Sequence, residues 1–143
     1  MSNALPAETI QFAHRMFDAA RNGDSELLLA AVKGGLPANL TNDQGNTLLM
    51  LAAYAGHTEL ARELIAMGAD ANRLNDRGQS ILAGAVFKGN EEMVKVLVEG
   101  GADPRLGQPS AVESAVMFGK KEMISILGAD ESEVGSHVPR PVS

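Results

Sequence analysis

Apolar and polar positions alternate along this chain in short blocks with a helical period. In one block Leu60, Ala61, Leu64 and Ile65 fall at i, i+1, i+4 and i+5, a single stripe on a helix. Thr47 and Ser80 each follow a polar turn carrying Gly and are suited to cap a helix of about eight residues. Those helices end at Gly56 and Gly89, where Gly accepts the left-handed backbone that stops a helix. A second helix is predicted to start at Asp24, His57 or Asn90, with Glu59, Glu91 and Glu92 near its positive end. The pattern therefore predicts turn, short helix, tight turn and longer helix.

This block recurs at a step of 33 residues. Gly45 aligns with Gly78, Thr47 with Ser80, Leu49 with Leu82, Ala52 with Ala85, Gly56 with Gly89, Leu64 with Leu97 and Asp70 with Asp103. The same step backwards reaches Met16, Ala19, Gly23 and Leu27. Forwards, a three-residue deletion restores the register at Ala115, Gly119, Met123 and Leu127. Four units are expected, at about 9–41, 42–74, 75–107 and 108–130, with a flexible lead-in over 1–8 and an unstructured tail over 131–143. The tail contains two prolines and small polar residues, and it has two other expected options: lying along the last helix or engaging a partner. The first helix is expected to begin near Ala7 or Thr9 and to bury Ile10, Ala13, Met16 and Phe17.

One helix pair cannot bury its own apolar stripe, so neighbours must stack; the fold class expected is an all-α solenoid of about four helix-turn-helix units. Ala19, Ala52, Ala85 and Ala115 hold one phase in all four units, where a methyl lets successive first helices approach closely.

Composition narrows the function. Apolar residues make up 45% of the chain and aromatics 3%, so the core is built from small and aliphatic side chains. The net charge of −6 and the absence of a long Lys/Arg cluster argue against nucleic acid and against anionic membranes. No cysteine is present, which excludes disulfides and thiolate chemistry and fits a reducing cytoplasm. Met1 to Ile10 lacks a signal-peptide pattern, and no stretch approaches the length of a membrane span. His14, His57 and His137 lie far apart without metal spacing, and His57 is expected to hydrogen-bond around a helix start. Glu91-Glu92 and Lys120-Lys121-Glu122 read as solvated first-turn charges, and no phosphate-loop pattern surrounds the glycines. No cofactor is expected, and nothing supplies a catalytic nucleophile, base and orienting group together, so an enzyme is not expected.

Gly45, Thr47, Leu49, Ala52-Ala53, Gly56-His57, Leu64-Ile65, Gly68-Ala69-Asp70 and Asn72 together resemble the ankyrin repeat, over roughly Phe12 to Asp130. The chain departs from that pattern at Leu48 and Ile81, where the family has Pro, and at Met50 and Ala83, where it has His. Gly84 stands inside a helix, at a cost of about 1 kcal/mol relative to Ala. Three residues are missing before Gly128, so the last helix is expected to be short, and units one and four are expected to act as caps.

The resemblance implies a protein-binding module that docks its partner on the turn tips and the concave face of the first helices. Carried onto this chain, the tips are Asp43, Gln44, Asn46, Asp76, Arg77 and Gln79. On the first helices they are Arg21-Asn22, Tyr54-Ala55, Phe87-Lys88 and Met117-Phe118, of which Arg21, Tyr54, Phe87 and Met117 share one phase, a ladder stepping about 10 Å per unit. These residue types are enriched in interface cores, and Tyr54 and Phe87 are expected to form an exposed recognition stripe; the competing arrangement folds Phe87 and Met117 inward. The expected function is a soluble, monomeric adaptor or inhibitor of another protein, with an immunity or antitoxin role suggested by the acidic charge alone.

Overall fold

A computed structural model describes residues 6–133. Eight helices follow one another in pairs: α1 Ala7–Asn22 with α2 Ser25–Lys33, α3 Leu48–Tyr54 with α4 Thr58–Ala66, α5 Ile81–Lys88 with α6 Glu91–Glu99, and α7 Ala111–Met117 with α8 Lys121–Ile126. Among the described residues strand-like pairing is limited to an isolated antiparallel bridge between Thr41 and Thr47. No described helix is long and apolar enough to cross a membrane.

Local chemistry starts and stops the helices. The hydroxyls of Thr47, Ser80 and Ser110 accept from the backbone N–H of Met50, Ala83 and Glu113, each at 3.1 Å. Glu113 completes a capping box by accepting from the Ser110 N–H at 3.0 Å. Asp24 and Asn90 cap α2 and α6 in the same way. His57 does not cap α4, contrary to expectation. Its ring reaches back across the stack, and Nε2 donates to the Arg21 carbonyl at 2.8 Å. The ring lies against Gly23, where an added Cβ would come within 2.7 Å of it, so this glycine is required by close approach as well as by its φ of 74°.

The first helices pack in the row α1, α3, α5, α7 and the second helices in the row α2, α4, α6, α8, with each pair also packed internally. Ala19, Ala52, Ala85 and Ala115 are all buried along the first row. Leu28, Leu60, Leu64, Met93, Leu97 and Met123 fill the space between the rows in one continuous core.

Polar stitches lie beside this core. Asn39 donates to the Gly68 carbonyl and accepts from the Asp70 N–H at 2.7 Å. Asn72, one period on, donates to the Gly101 carbonyl at 2.9 Å and accepts from the Asp103 N–H at 2.6 Å. The next position in this series is Arg105, which grips Glu133 through two hydrogen bonds of 3.0 and 2.9 Å. These bonds hold the Glu133 carboxyl below its usual range.

At the N-terminal end one expectation changes. Ile10 is 42% exposed, whereas Met16 and Phe17 are buried and Ala13 is half-buried. The cause is length: α1 has 16 residues and its neighbour α3 has 7, so α3 covers only part of it. α1 starts at Ala7, one of the two expected starts, and Glu131–Glu133, at the beginning of the expected tail, form a 3-10 turn. The rest of the expected lead-in (1–5) and tail (134–143), with His137, lies outside the described residues. The last helix is short, as expected, with six residues against nine in α4 and α6.

Asn72→Ala removes two hydrogen bonds that join neighbouring units and is expected to cost about 1–2 kcal/mol. Denaturant unfolding should show that loss with native circular dichroism unchanged, and an unaltered midpoint would refute the stitch.

Candidate functional site

The first-helix wall is not uniform. Between α5 and α7 it opens into a groove of about 470 Å³. Its floor is made of small residues, Ala83, Gly84 and Ser114, and its sides of Tyr54, Phe87, Met117 and Phe118. Gln79, Gln108 and Pro109 close the end nearest the turns, and Lys88 stands at the rim.

Each side of the groove has a local origin. Phe87 sits one residue before the end of α5 and is 67% exposed; Phe118 is the residue that ends α7 and is 47% exposed. Their rings meet edge to face, with centroids 5.5 Å apart and planes at 70°. Tyr54, at the end of α3, is half-buried and packs against the core. Its ring lies over Gly84, where an added Cβ would come within 2.4 Å of Cε1. The glycine that costs α5 helix propensity therefore makes room for the tyrosine of the preceding unit. Burial pushes the Tyr54 phenol above its ordinary value.

The turn end of the groove follows from a short connection. Asp70 to Ser80 spans ten positions, Asp103 to Ser110 only seven, so the fourth unit lacks a full turn tip. Gly107, at φ 89°, presses on the preceding turn, and the Gln108 N–H donates to the Gly78 carbonyl at 3.2 Å. The peptide between Gln108 and Pro109 is cis.

The groove collects some of the predicted residues and leaves others apart. Tyr54, Gln79, Phe87, Lys88 and Met117 line it, with Met117 half-buried and packed against the core. Arg21 is exposed on α1 and paired with Asp18 at 3.0 Å, away from the groove. Among the tips, the Asp76 N–H donates to the Gln44 carbonyl at 3.1 Å, and the Asn75 side chain donates to Asn46 at 3.0 Å. Gln44, Asn46, Arg77 and Gln79 surround a smaller polar hollow, while Asp43 and Asp76 are exposed on the turns. Phe118, mapped beside Met117, also lines the groove, and Gly84, Gln108 and Pro109 are additional groove residues not among the candidates. The ladder ran through Met117 rather than Phe118, because Met117 holds the phase of Phe87 and Phe118 that of Lys88. The signal that was available was its identity, one of four phenylalanines in the chain.

No cluster of three or more His, Asp or Glu with metal-binding geometry occurs among the described residues. A second hollow, of about 420 Å³, lies at the Gly89 and Gly119 corners and is lined mainly by the charged Glu91, Lys120, Lys121 and Glu122, with Met123 beside them.

With the helix pairs and the groove in place, comparison with known families settles the kinship. The family model described as ankyrin repeats, in three copies, matches residues 16–108, more than half of the chain. The chain belongs to the ankyrin-repeat family. It is also 50% identical over 50 residues to a Pseudomonas aeruginosa protein whose name assigns it to the ankyrin repeats; the match covers 35% of this chain and 29% of that protein. Ankyrin repeats are in general protein-protein interaction modules and typically carry no catalysis. The match to the ankyrin repeats stops short of Phe118, so half of the aromatic pair lies outside the span that identifies the family.

Tyr54 is the sole tyrosine of a chain without tryptophan, so phenolate absorbance reports on it alone. Its midpoint is expected above the free phenol value of about 10. The folded state holds the proton more tightly, so this contribution to stability is complete below the free phenol range and is lost as pH rises through the folded midpoint. A midpoint at the free value would place the ring in solvent. Gly84→Ala is expected to destabilise by about 1 kcal/mol or more, because the new methyl meets Tyr54. In a Tyr54→Ala background the same change should stabilise by about 1 kcal/mol through helix propensity. Additive effects in that double-mutant cycle would disprove the contact.

Proposed function

We propose that this ankyrin-repeat protein is a docking module that takes a partner polypeptide into the Phe87–Phe118 groove, acting as an adaptor or inhibitor rather than as an enzyme. The observation that carries this reading is the exposed aromatic pair. In a chain with 3% aromatic residues, two of the four phenylalanines pack edge to face beside a groove with an apolar floor. Exposed apolar side chains grouped around a concavity mark binding sites, and aromatic anchors in pockets dominate interface energies.

The remaining candidates have supporting roles. Tyr54 and Met117 are half-buried and shape the walls. Lys88 and Gln79 supply polar contacts at the rim, and Asp43, Gln44, Asn46, Asp76 and Arg77 extend the surface along the turns. Arg21 lies outside the central contact. The acidic balance favours a basic partner surface around the apolar centre, as in an inhibitor of the immunity or antitoxin type. The reading includes a monomeric, cytoplasmic protein, and the absence of cysteine suits a reducing compartment.

Phe87→Ala with Phe118→Ala is expected to weaken partner capture by about 2 kcal/mol or more, roughly thirtyfold. Stability should fall by no more than about 1 kcal/mol, because both rings are exposed and their mutual contact is the main loss. Capture from a native extract, quantified by mass spectrometry beside thermal melting of both proteins, checks this. Undiminished capture by a folded double variant would refute the groove as the docking site.

A further inference from the structure

We infer that the segment a partner lays in this groove is extended and carries one acidic side chain beside an apolar one, recognised by Lys88, by the floor hydroxyl of Ser114 and by the aromatic wall. This deepens the docking reading above and rests on it.

The first observation is an unspent hydroxyl. Ser114 lies within α7 and is 3% exposed. Ser80 and Ser110, equally buried, use their hydroxyls to cap helices, whereas the Ser114 side chain makes no hydrogen bond to a described residue. Among the described residues no side-chain oxygen or nitrogen sealed from solvent lacks a partner, so the Ser114 hydroxyl keeps an opening, and the groove is what Ser114 lines. The repeat does not call for this serine, since units two and three have Leu51 and Gly84 at its phase. A buried hydroxyl without a partner has given up water and gained nothing by folding, and a group bound in the groove supplies the missing bond.

The second observation is the sign of the free groups. No acid lines the groove; Lys88 is its single charge, exposed and without an ion pair among the described residues. The Gln79 carbonyl oxygen of the side chain accepts from the Asn75 side chain at 2.9 Å, which leaves the NH2 group as its unused half. The complement of these donors is a set of acceptors: a carboxylate for Lys88 and main-chain carbonyls for Ser114 and Gln79. Glu91 and Glu122 belong to the neighbouring hollow, where Lys120 and Lys121 offset them. The basic partner surface proposed above faces the acidic remainder of the stack, and the carboxylate belongs to the segment inside the groove.

The third observation is width. The groove runs between α5 and α7, which are packed neighbours. Packed helices lie about 8–10 Å apart, whereas a helix with its side chains measures about 10–12 Å across. A helical partner would therefore ride above the floor, with its own N–H and C=O groups already satisfied. An extended strand sends alternate side chains into the groove and keeps free carbonyls to offer. One apolar side chain then packs beside the Phe87 and Phe118 rings while a carbonyl meets Ser114.

The test selects short random peptides displayed on phage against the full chain and against its Lys88→Glu variant. The expected result is enrichment of one Asp or Glu beside a large apolar residue on the native chain, and of Lys or Arg at that place on Lys88→Glu. In calorimetric titration the selected peptide should bind Ser114→Ala about tenfold more weakly, the worth of one hydrogen bond. That variant should melt no lower than the native chain, because its hydroxyl had no partner to lose and Ala is the better helix former. Enrichment of basic sequences, of sequences with a helical apolar period, or of none overturns the inference. Unchanged affinity or a lowered melting temperature in Ser114→Ala overturns it too. Basic or helical sequences whose binding still requires Phe87 and Phe118 would leave the docking reading standing, so the two failures are distinct.

Discussion

Close approach of the first helices is the constraint from which the rest of the molecule follows. Ala19, Ala52, Ala85 and Ala115 are buried at one phase of α1, α3, α5 and α7, and their methyl groups set how near those helices come. A larger side chain there would force the helices apart and open the core behind them. Because the same spacing is imposed at every step, the hydrogen bonds of Asn39 and Asn72 repeat with it. The stack is thus held by apolar contact between units and kept in register by polar contact beside it.

The groove is a local departure from that regularity. In unit three the helix carries Gly84 where the preceding unit offers the ring of Tyr54, so the ring settles inward and half-buries. In unit four the connection is three residues shorter and the helix ends early, which removes a turn tip and presents Phe118. Small floor, aromatic sides and a short turn coincide at one place, and none would create a groove alone.

Chemistry at the site is binding chemistry. Tyr54 is held neutral by burial, and the other shifted groups, Arg105, Asp130 and Glu133, belong to the exposed turn at the end of the stack. Arg105 and Glu133 stabilise each other's charged forms, and the Ser132 N–H lowers Asp130. These contacts shape the chain's exit rather than prepare a reaction.

The period, the capping residues at Thr47, Ser80 and Asn90, the buried alanine line and the short last helix were all legible in the residue order. Each depends on neighbours a few positions away or on a repeat that a shift reveals. The candidate site was legible in part: Tyr54, Phe87 and Met117 converge because they share the repeat phase, and Lys88 and Gln79 flank them. Phe118, at the phase of Lys88, was mapped beside the ladder rather than on it. Exposure of Ile10, the reach of His57 to the Arg21 carbonyl, the fit of Tyr54 over Gly84 and the Arg105 grip on Glu133 were decided only by tertiary structure. All four are set by which side chains meet across units, and contacts between residues some 30 positions apart leave no local mark in the sequence.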